Sequence, residues 1–409
     1  MKLNVALVDE EIPFPPISGK RIRVLNLLRA LAPKHNITLL AHRNPIQSEV
    51  DDGVRHLKSL GVETVLVSPS DSIQQARKRR LGFCLQLARS FFSPLPFSAT
   101  LHQCSNMTSA VRQLQSRLHI DLWQCEWAPY ANYLFRSGVG PSFFMAHDIQ
   151  TCIWQRYEAS ESNFLKRKYI ASQSKKYHEF ERRVFSEIDL SATVTDDDAQ
   201  RVEQMFGASR PVVIDNGVDV PFYRPIDAER NPHEILFMGS LDWPANQDAV
   251  NQLVDQIVPT VRQELPRVFL TVVGRNPPRS LAQKVEQSGF CELFANVPDV
   301  RPFLHRCSLL AVPLRIGGGS RLKILEALAA KTPVVSTIVG AEGLRLEPNQ
   351  HFFGVKSIKQ MAAAIVDCLQ HPKRASEMTQ RGFDVTTREY DWKILAEKME
   401  NAWLQLVSR

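Results

Sequence analysis

The residues with the most chemical promise lie between Pro313 and Thr337, in PLRIGGGSRLKILEALAAKTPVVST. An apolar strand is expected to end near Leu314, and Gly317, Gly318 and Gly319 then let the backbone come close to a ligand. A helix is expected to start near Ser320 with its unpaired N–H groups facing that loop, an arrangement that binds phosphate. Arg321 and Lys323 put two cations in the helix's first turn, against its dipole, and an anionic ligand accounts for them. Glu326 follows among Ile324, Leu325, Ala327 and Leu328, a carboxylate on an otherwise packed helix. A carboxylate beside a phosphate loop commonly accepts hydrogen bonds from ribose hydroxyls. The plainer alternative is a flexible GGGS turn followed by a solvated charged face.

Such a site needs a strand, loop and helix in register, and the chain is built from that unit. Short β-rich runs alternate with segments of helical period. In the first half the expected strands are Asn4 to Val8, Ile37 to Ala41, Thr64 to Val67, Asp121 to Cys125, Phe143 to Ala146 and Leu190 to Thr195. In the second they are Glu234 to Met238, Val268 to Val273, Glu292 to Phe294, Ser308 to Val312, Pro333 to Ser336 and Phe352 to Val355. Arg21 to Leu31 is typical of the helices between them, with Val24, Leu27, Leu28 and Leu31 on one face. The alternation predicts an α/β class with doubly wound parallel sheets. VVIDNGVDVPFYRPIDAERNPHE lacks apolar periodicity and reads as a connector, with the boundary around Val213 to His233. The expected domains are 1–212, 213–385 and a final helix in 386–409 that crosses back to the first domain. Ligands of such sheets bind at the carboxyl ends of the strands, so a cleft between the two domains is expected to hold the site. The proline-rich turn EEIPFPPISGK after the first strand, ending in Gly19 and Lys20, is expected to point into it.

A chain of 409 residues is too long for one ordinary core, which agrees with two domains. Its 44% hydrophobic and 23% charged residues are those of a soluble globular protein. It has no apolar run of about 18 residues, and MKLNVALVDEEIPF turns acidic early without a small-residue cleavage site. A first strand and a cytoplasmic protein are expected. The seven cysteines are scattered singly, at Cys84, Cys104, Cys125, Cys152, Cys291, Cys307 and Cys368, which suits reduced thiols and no structural zinc. Part of the net charge of +7 sits in Arg77, Lys78, Arg79 and Arg80, ahead of LGFCLQLARSFFSPLPF. That stretch is either a solvated charge run beside a core helix or a peripheral contact with an anionic membrane on its inner, cytoplasmic face. Lys166, Arg167, Lys168, Lys175 and Lys176 form a second basic cluster. No RNP-like strand or zinc-finger spacing points to nucleic acid.

Taken in order, PFPPISGKRIRVLNLLRALA, VIDNGVD, ILFMGSLDWPANQDAV, TVVGRNP, NVPDVRPFL, GGGSRLKILEALAAKTPVVST and the closing YDW resemble the retaining, metal-independent glycosyltransferases of the GT-B fold, family 4 (glycosyl transferases group 1). The resemblance spans nearly the whole chain and is nearest to a subgroup with a GGGSRLKxLEA motif. It implies two Rossmann-like domains facing across a cleft, a UDP- or GDP-linked sugar as donor, no required cofactor, and a glycan, lipid-linked or small-molecule acceptor. It also implies surface polysaccharide or glycolipid assembly. Many members carry two glutamates around this helix. Here the second matches Glu326, and the first position is Gly318, which offers only backbone. The usual Arg and Lys after the second domain's first strand are Ser240 and Asn246, so Arg321 and Lys323 are expected to take over the pyrophosphate.

The resemblance further implies that backbone N–H groups of Gly318, Gly319 and Ser320 meet the sugar or phosphate, and that the Gly19 loop closes over the phosphates and acceptor. Backbone near Arg275, Asp299 and Val300 would meet the base. His147, in FFMAHDIQ, matches a family histidine that hydrogen-bonds the donor sugar or orients the acceptor hydroxyl; a core-edge histidine is the alternative. Glu126 stands at another strand end, and Asp148 is either a site residue or a helix cap. Thr195 to Asp198 reads as an N-cap with an acidic first turn rather than a metal site. Two other readings remain, a nucleotide-sugar 2-epimerase of the same fold and a silent GT-B scaffold at a membrane surface.

Overall fold

A computed structural model describes residues 1–44, 46–69, 90–224, 229–315 and 321–408. The chain divides into unit 1, Met1–Asp215 with Leu395–Arg409, and unit 2, Asn216–Ile394. The Arg77 to Arg80 stretch, Cys84 and the glycines Gly317, Gly318 and Gly319 with Ser320 lie outside the described residues.

Unit 1 is a seven-stranded sheet of β1 (Asn4–Asp9), β2 (Asn36–His42), β3 (Val62–Val67), β4 (Leu122–Cys125), β5 (Ser142–Ala146), β6 (Leu190–Thr193) and β7 (Val212–Val213), in the order β3-β2-β1-β4-β5-β6-β7. Unit 2 has β8 (Asn231–Ser240), β9 (Phe269–Arg275), β10 (Cys291–Ala295), β11 (Cys307–Val312), β12 (Val334–Thr337) and β13 (Phe353–Val355), in the order β10-β9-β8-β11-β12-β13. All pairings are parallel. Parallel strands are buried on both faces and therefore read as unbroken apolar runs, as β5 (SFFMA) and β11 (CSLLAV) do. Each unit has its own core. In unit 1, Val8, Trp123, Phe144 and Val184 belong to one cluster; in unit 2, Phe237, Leu270, Leu310 and Leu325 do.

The doubly wound α/β class holds, and the two-residue β7 is the strand that periodicity did not register, because two residues carry no period. The expected last segment is two helices, since Pro372–Tyr390 ends in one and Trp392–Val407 forms the next. Thr195 caps the helix Asp196–Phe206, its side chain accepting from Asp198 N. Asp148 is not a cap: the first N–H groups of the helix, those of Gln150 and Thr151, donate to the Glu181 carboxylate at 2.8 and 2.9 Å. Burial lifts the Glu181 carboxyl to about 7 against the pull of those bonds.

In both orders the strand sequence reverses beside the first strand, between β1 and β4 in unit 1 and between β8 and β11 in unit 2. A crevice opens at such a switch point outside the carboxyl ends of the strands. Side chains leaving β1, β4, β8 and β11 are therefore placed to meet a ligand.

Candidate functional site

In unit 2 the helix Leu322–Ala329 follows β11, and two of its side chains turn toward the end of β8 and the connector. Lys323 Nζ donates to Asn246 Oδ1 at 2.9 Å and lies 4.7 Å from the centroid of the Phe237 ring. It crosses directly over Gly239, where a Cβ would stand 2.9 Å from Lys323 Nζ and from Asn246 Nδ2. A side chain at that strand end would have to push the ammonium or the amide aside. Burial pulls Lys323 down to about 7, against the neighbouring Glu326, while Arg321 adds to the pull. A buried ammonium with so little compensation is poised to gain from an anion.

Glu326 Oε1 accepts from the Tyr223 hydroxyl at 3.0 Å. Burial raises the Glu326 carboxyl above its ordinary value, opposed by Tyr223 and by Lys323. Burial, and then Glu326, push the Tyr223 phenol up, so it remains a donor. Tyr223 ends the short helix Val220–Tyr223 of the connector, a segment whose lack of period gave no reason to single it out. Nothing local marks it, because its partner lies 103 residues away.

Arg321 behaves differently from Lys323. It is buried, stands at the N-cap position, and donates to Val339 O at 3.1 Å and Glu342 O at 3.4 Å, with the Glu342 carboxylate at 3.5 Å. Arg275 is exposed at the end of β9, opposite Ser240 in the ladder. Asp299 accepts from Arg301 N at 2.9 Å, and the Arg301 guanidinium stacks 3.8 Å from the Phe222 ring centroid.

In unit 1 the strand ends bring together Asp9, Glu126 and His147. Gly19 opens the helix Gly19–Leu31, whose N-cap Ser18 accepts from Arg21 N. The next residue, Lys20, pairs with Asp9 and lies 3.8 Å from Glu10. Burial works against the Lys20 charge, but Asp9 and Glu10 outweigh it and hold the ammonium above its ordinary range. Arg21 pairs with Glu11 and lies 3.7 Å from Glu49. The cations at this turn are thus already partnered by carboxylates, Asp9 at the end of β1, Glu10 and Glu11 in the turn, and Glu49.

His147 Nε2 lies 2.9 Å from Glu126 Oε2. Burial alone would raise Glu126, yet the bond and charge of His147, then Gln124 and Arg23, outweigh it and hold the carboxyl below its ordinary value. Arg23, fully buried, donates to Ile214 O at 2.8 Å and to Asp215 O. Asp9, Lys20 and Arg23 were not legible as site residues, since acidic and basic residues around a turn are common. Their placement beside the β1–β4 switch point singles them out.

Among the described residues no group of three His, Cys, Asp or Glu side chains could hold a metal ion, and no helix is long and apolar enough to cross a membrane. Residues 232–371 match the family model described as Glycosyl transferases group 1. The chain is 24% identical over 245 residues to a glycogen synthase of Mycobacterium tuberculosis, covering 56% of this chain and 58% of the length of that relative. It is similar to the solved sucrose-phosphate synthase of Thermosynechococcus elongatus, with a TM-score of 0.72, 15% identity and 100% of both chains covered. The Anabaena protein Alr3699/HepE, solved in complex with UDP and glucose, gives a TM-score of 0.68 at 13% identity over 98% of this chain and 100% of that one. The chain therefore has the fold of the GT-B glycosyltransferases, two Rossmann-like α/β domains, and within it residues 232–371 match a group 1 glycosyl transferase domain.

Proposed function

We propose that this protein is a retaining, metal-independent glycosyltransferase of family 4 type that moves a hexosyl group from a UDP- or GDP-linked sugar to a hydroxyl acceptor. The observation that carries this reading is the pair Lys323 and Glu326 on one helix at the β8–β11 switch point, a cation and a carboxylate suited to diphosphate and ribose. The group 1 match over residues 232–371 and the UDP in the similar Anabaena structure support it.

In this reading the second oxygen of Glu326 accepts from the ribose hydroxyls while Tyr223 holds the first. Lys323 meets the diphosphate. Because the leaving nucleoside diphosphate gains charge as the glycosidic bond breaks, Lys323 stabilises the transition state more than the bound donor. The backbone of Gly318, Gly319 and Ser320 approaches the sugar or phosphate, Arg275 lies near the base, and Arg321 braces the helix start. The unit 1 residues His147 and Gly19 serve the acceptor side. Retention proceeds without an enzymic nucleophile, unlike the paired-carboxylate scheme of glycosidases.

Surface polysaccharide or glycolipid assembly at the inner face of the cytoplasmic membrane is the setting that unit 1 favours. Phe92, Phe164 and Leu165 are 92%, 67% and 76% exposed, and Lys166, Arg167 and Lys168 follow directly in the same helix. Apolar side chains beside cations suit an anionic lipid surface. Co-sedimentation with vesicles of anionic lipid, lost with neutral lipid, checks this part.

Thermal shift against UDP, GDP, ADP and dTDP and their common sugars tests the main reading, since a ligand of the folded state raises its stability. A shift with one nucleotide that disappears in Glu326→Ala is expected. Silence across the panel would overturn the donor site and favour a scaffold that has lost it.

A further inference from the structure

We propose that Trp403, Gln124 and Glu126 are positioning residues that decide which nitrogen of His147 carries the proton. The argument begins at the indole, whose N–H can only donate. Trp403 Nε1 lies 2.7 Å from Gln124 Oε1, so the carbonyl oxygen of that amide is the atom facing the indole. The amide NH₂ consequently faces Glu126, and it donates to Glu126 Oε1. The other carboxylate oxygen, Oε2, stands 2.9 Å from His147 Nε2. An ionised carboxylate only accepts, so Nε2 holds the proton and Nδ1 keeps its lone pair.

Burial makes the sequence of bonds unambiguous. Trp403, Gln124 and Glu126 are each 2% exposed, so water cannot substitute for a missing partner. His147, then Gln124 and the buried Arg23, hold the Glu126 carboxyl below its ordinary value against burial. Asp9 is the other carboxylate beside Glu126 and is paired with Lys20. The His147 side chain is 17% exposed, and among the described residues Nδ1 has no hydrogen-bond partner. Nδ1 is therefore an acceptor, suited to the hydrogen of a hydroxyl group rather than to a carbonyl or phosphate oxygen.

The relay also gives the helix Trp392–Val407 a part in the chemistry. Trp403 is 279 residues from Gln124 and reaches it only because the end of that helix packs in unit 1. What Nδ1 meets rests on the transferase reading; the proton's location does not.

Long-range ¹H–¹⁵N spectra of histidine-labelled protein, recorded where the ring is neutral and assigned by the signals lost in His147→Asn, test the relay without any nucleotide. Wild type is expected to show the Nε2–H form. In Glu126→Gln, Gln124 still donates to one oxygen, so the new NH₂ must face Nε2 and the proton is expected to move to Nδ1. Adding Trp403→Phe to Glu126→Gln frees the Gln124 amide to turn and is expected to give both forms, whereas Trp403→Phe alone keeps the Nε2–H form. The Nδ1–H form in wild type, or one unchanged tautomer in wild type, Glu126→Gln and the double variant, would overturn the proposal. Should Glu126→Gln fail to fold, the wild-type spectrum still decides it, the Nε2–H form supporting the proposal and the Nδ1–H form overturning it. A protein with no response to nucleotides but with the expected tautomers would sink the transferase reading and leave the relay standing.

Discussion

In unit 1 the strand ends carry Asp9, Glu126 and His147, each already bonded to a side chain of the same unit, whereas unit 2 presents Lys323 and Glu326 with, among the described residues, one side-chain hydrogen bond apiece. The sheets have matching topology around β1 and β8, so the contrast comes from the side chains alone. A compensated network holds one rigid arrangement and gives up little on binding. An under-compensated cation and carboxylate gain from a charged ligand what burial withholds. The first arrangement suits orientation of a neutral hydroxyl and the second suits an anion.

The largest expected effect breaks the compensated side. Glu126→Ala removes the buried carboxylate that faces His147 and strips Gln124 of its acceptor, at a cost of about 3 to 5 kcal/mol in denaturant unfolding. A loss under about 1 kcal/mol would mean the network contributes little. Glu326→Ala should do the reverse, costing about 2 to 3 kcal/mol in nucleoside diphosphate affinity with a smaller effect on stability. Isothermal titration measures it, and unchanged affinity would remove Glu326 from the donor site.

Lys323→Ala and Arg321→Ala sharpen the contrast within unit 2. Loss of Lys323 should lower turnover more than ground-state binding, since its interaction grows with leaving-group charge. Loss of Arg321, whose bonds go to Val339 and Glu342, should appear mainly as about 1 to 3 kcal/mol of stability. Equal kinetic defects in the two variants would show that both cations face the donor. Tyr223→Phe removes one donor from Glu326 and should weaken nucleotide binding by about 1 kcal/mol. A variant indistinguishable from wild type in affinity would show that Glu326 needs no such support.

The same lysine also predicts a pH slope. Lys323 is depressed to about 7 in the folded protein from 10.5, so between those values the unfolded chain binds the extra proton and stability rises with pH. The burial cost is present in full below pH 7 and relieved above it. Wild type should therefore gain on Lys323→Met between pH 7 and 9 in parallel unfolding curves. Curves that stay parallel across that range would show that Lys323 is charged throughout.

Much of the fold was legible because its signals are local. The apolar runs that became β1 to β6 and β8 to β13 announce parallel strands wherever they occur, and Thr195 followed by Asp196 to Asp198 announces a helix start. The positions of Glu326, Lys323 and His147 could be marked in the same way, as polar residues in apolar surroundings at strand or helix ends. The different partners of Arg321 and Lys323 could not be read there, since two residues of one helix start point in directions whose contacts depend on what surrounds them.

The amino-acid sequence by itself determined two alternating α/β domains, a connector between them, and a glycine-rich helix start with a cation and a carboxylate behind it. All of these follow from composition and period within a few tens of residues. Only the tertiary structure decided the partners: Tyr223 for Glu326, Asn246 for Lys323, Lys20 for Asp9, and the run from Trp403 through Gln124 and Glu126 to His147. Hydrogen bonds and ion pairs form across any separation in sequence once burial removes water as the competing partner. Packing of the whole chain sets which groups are buried together.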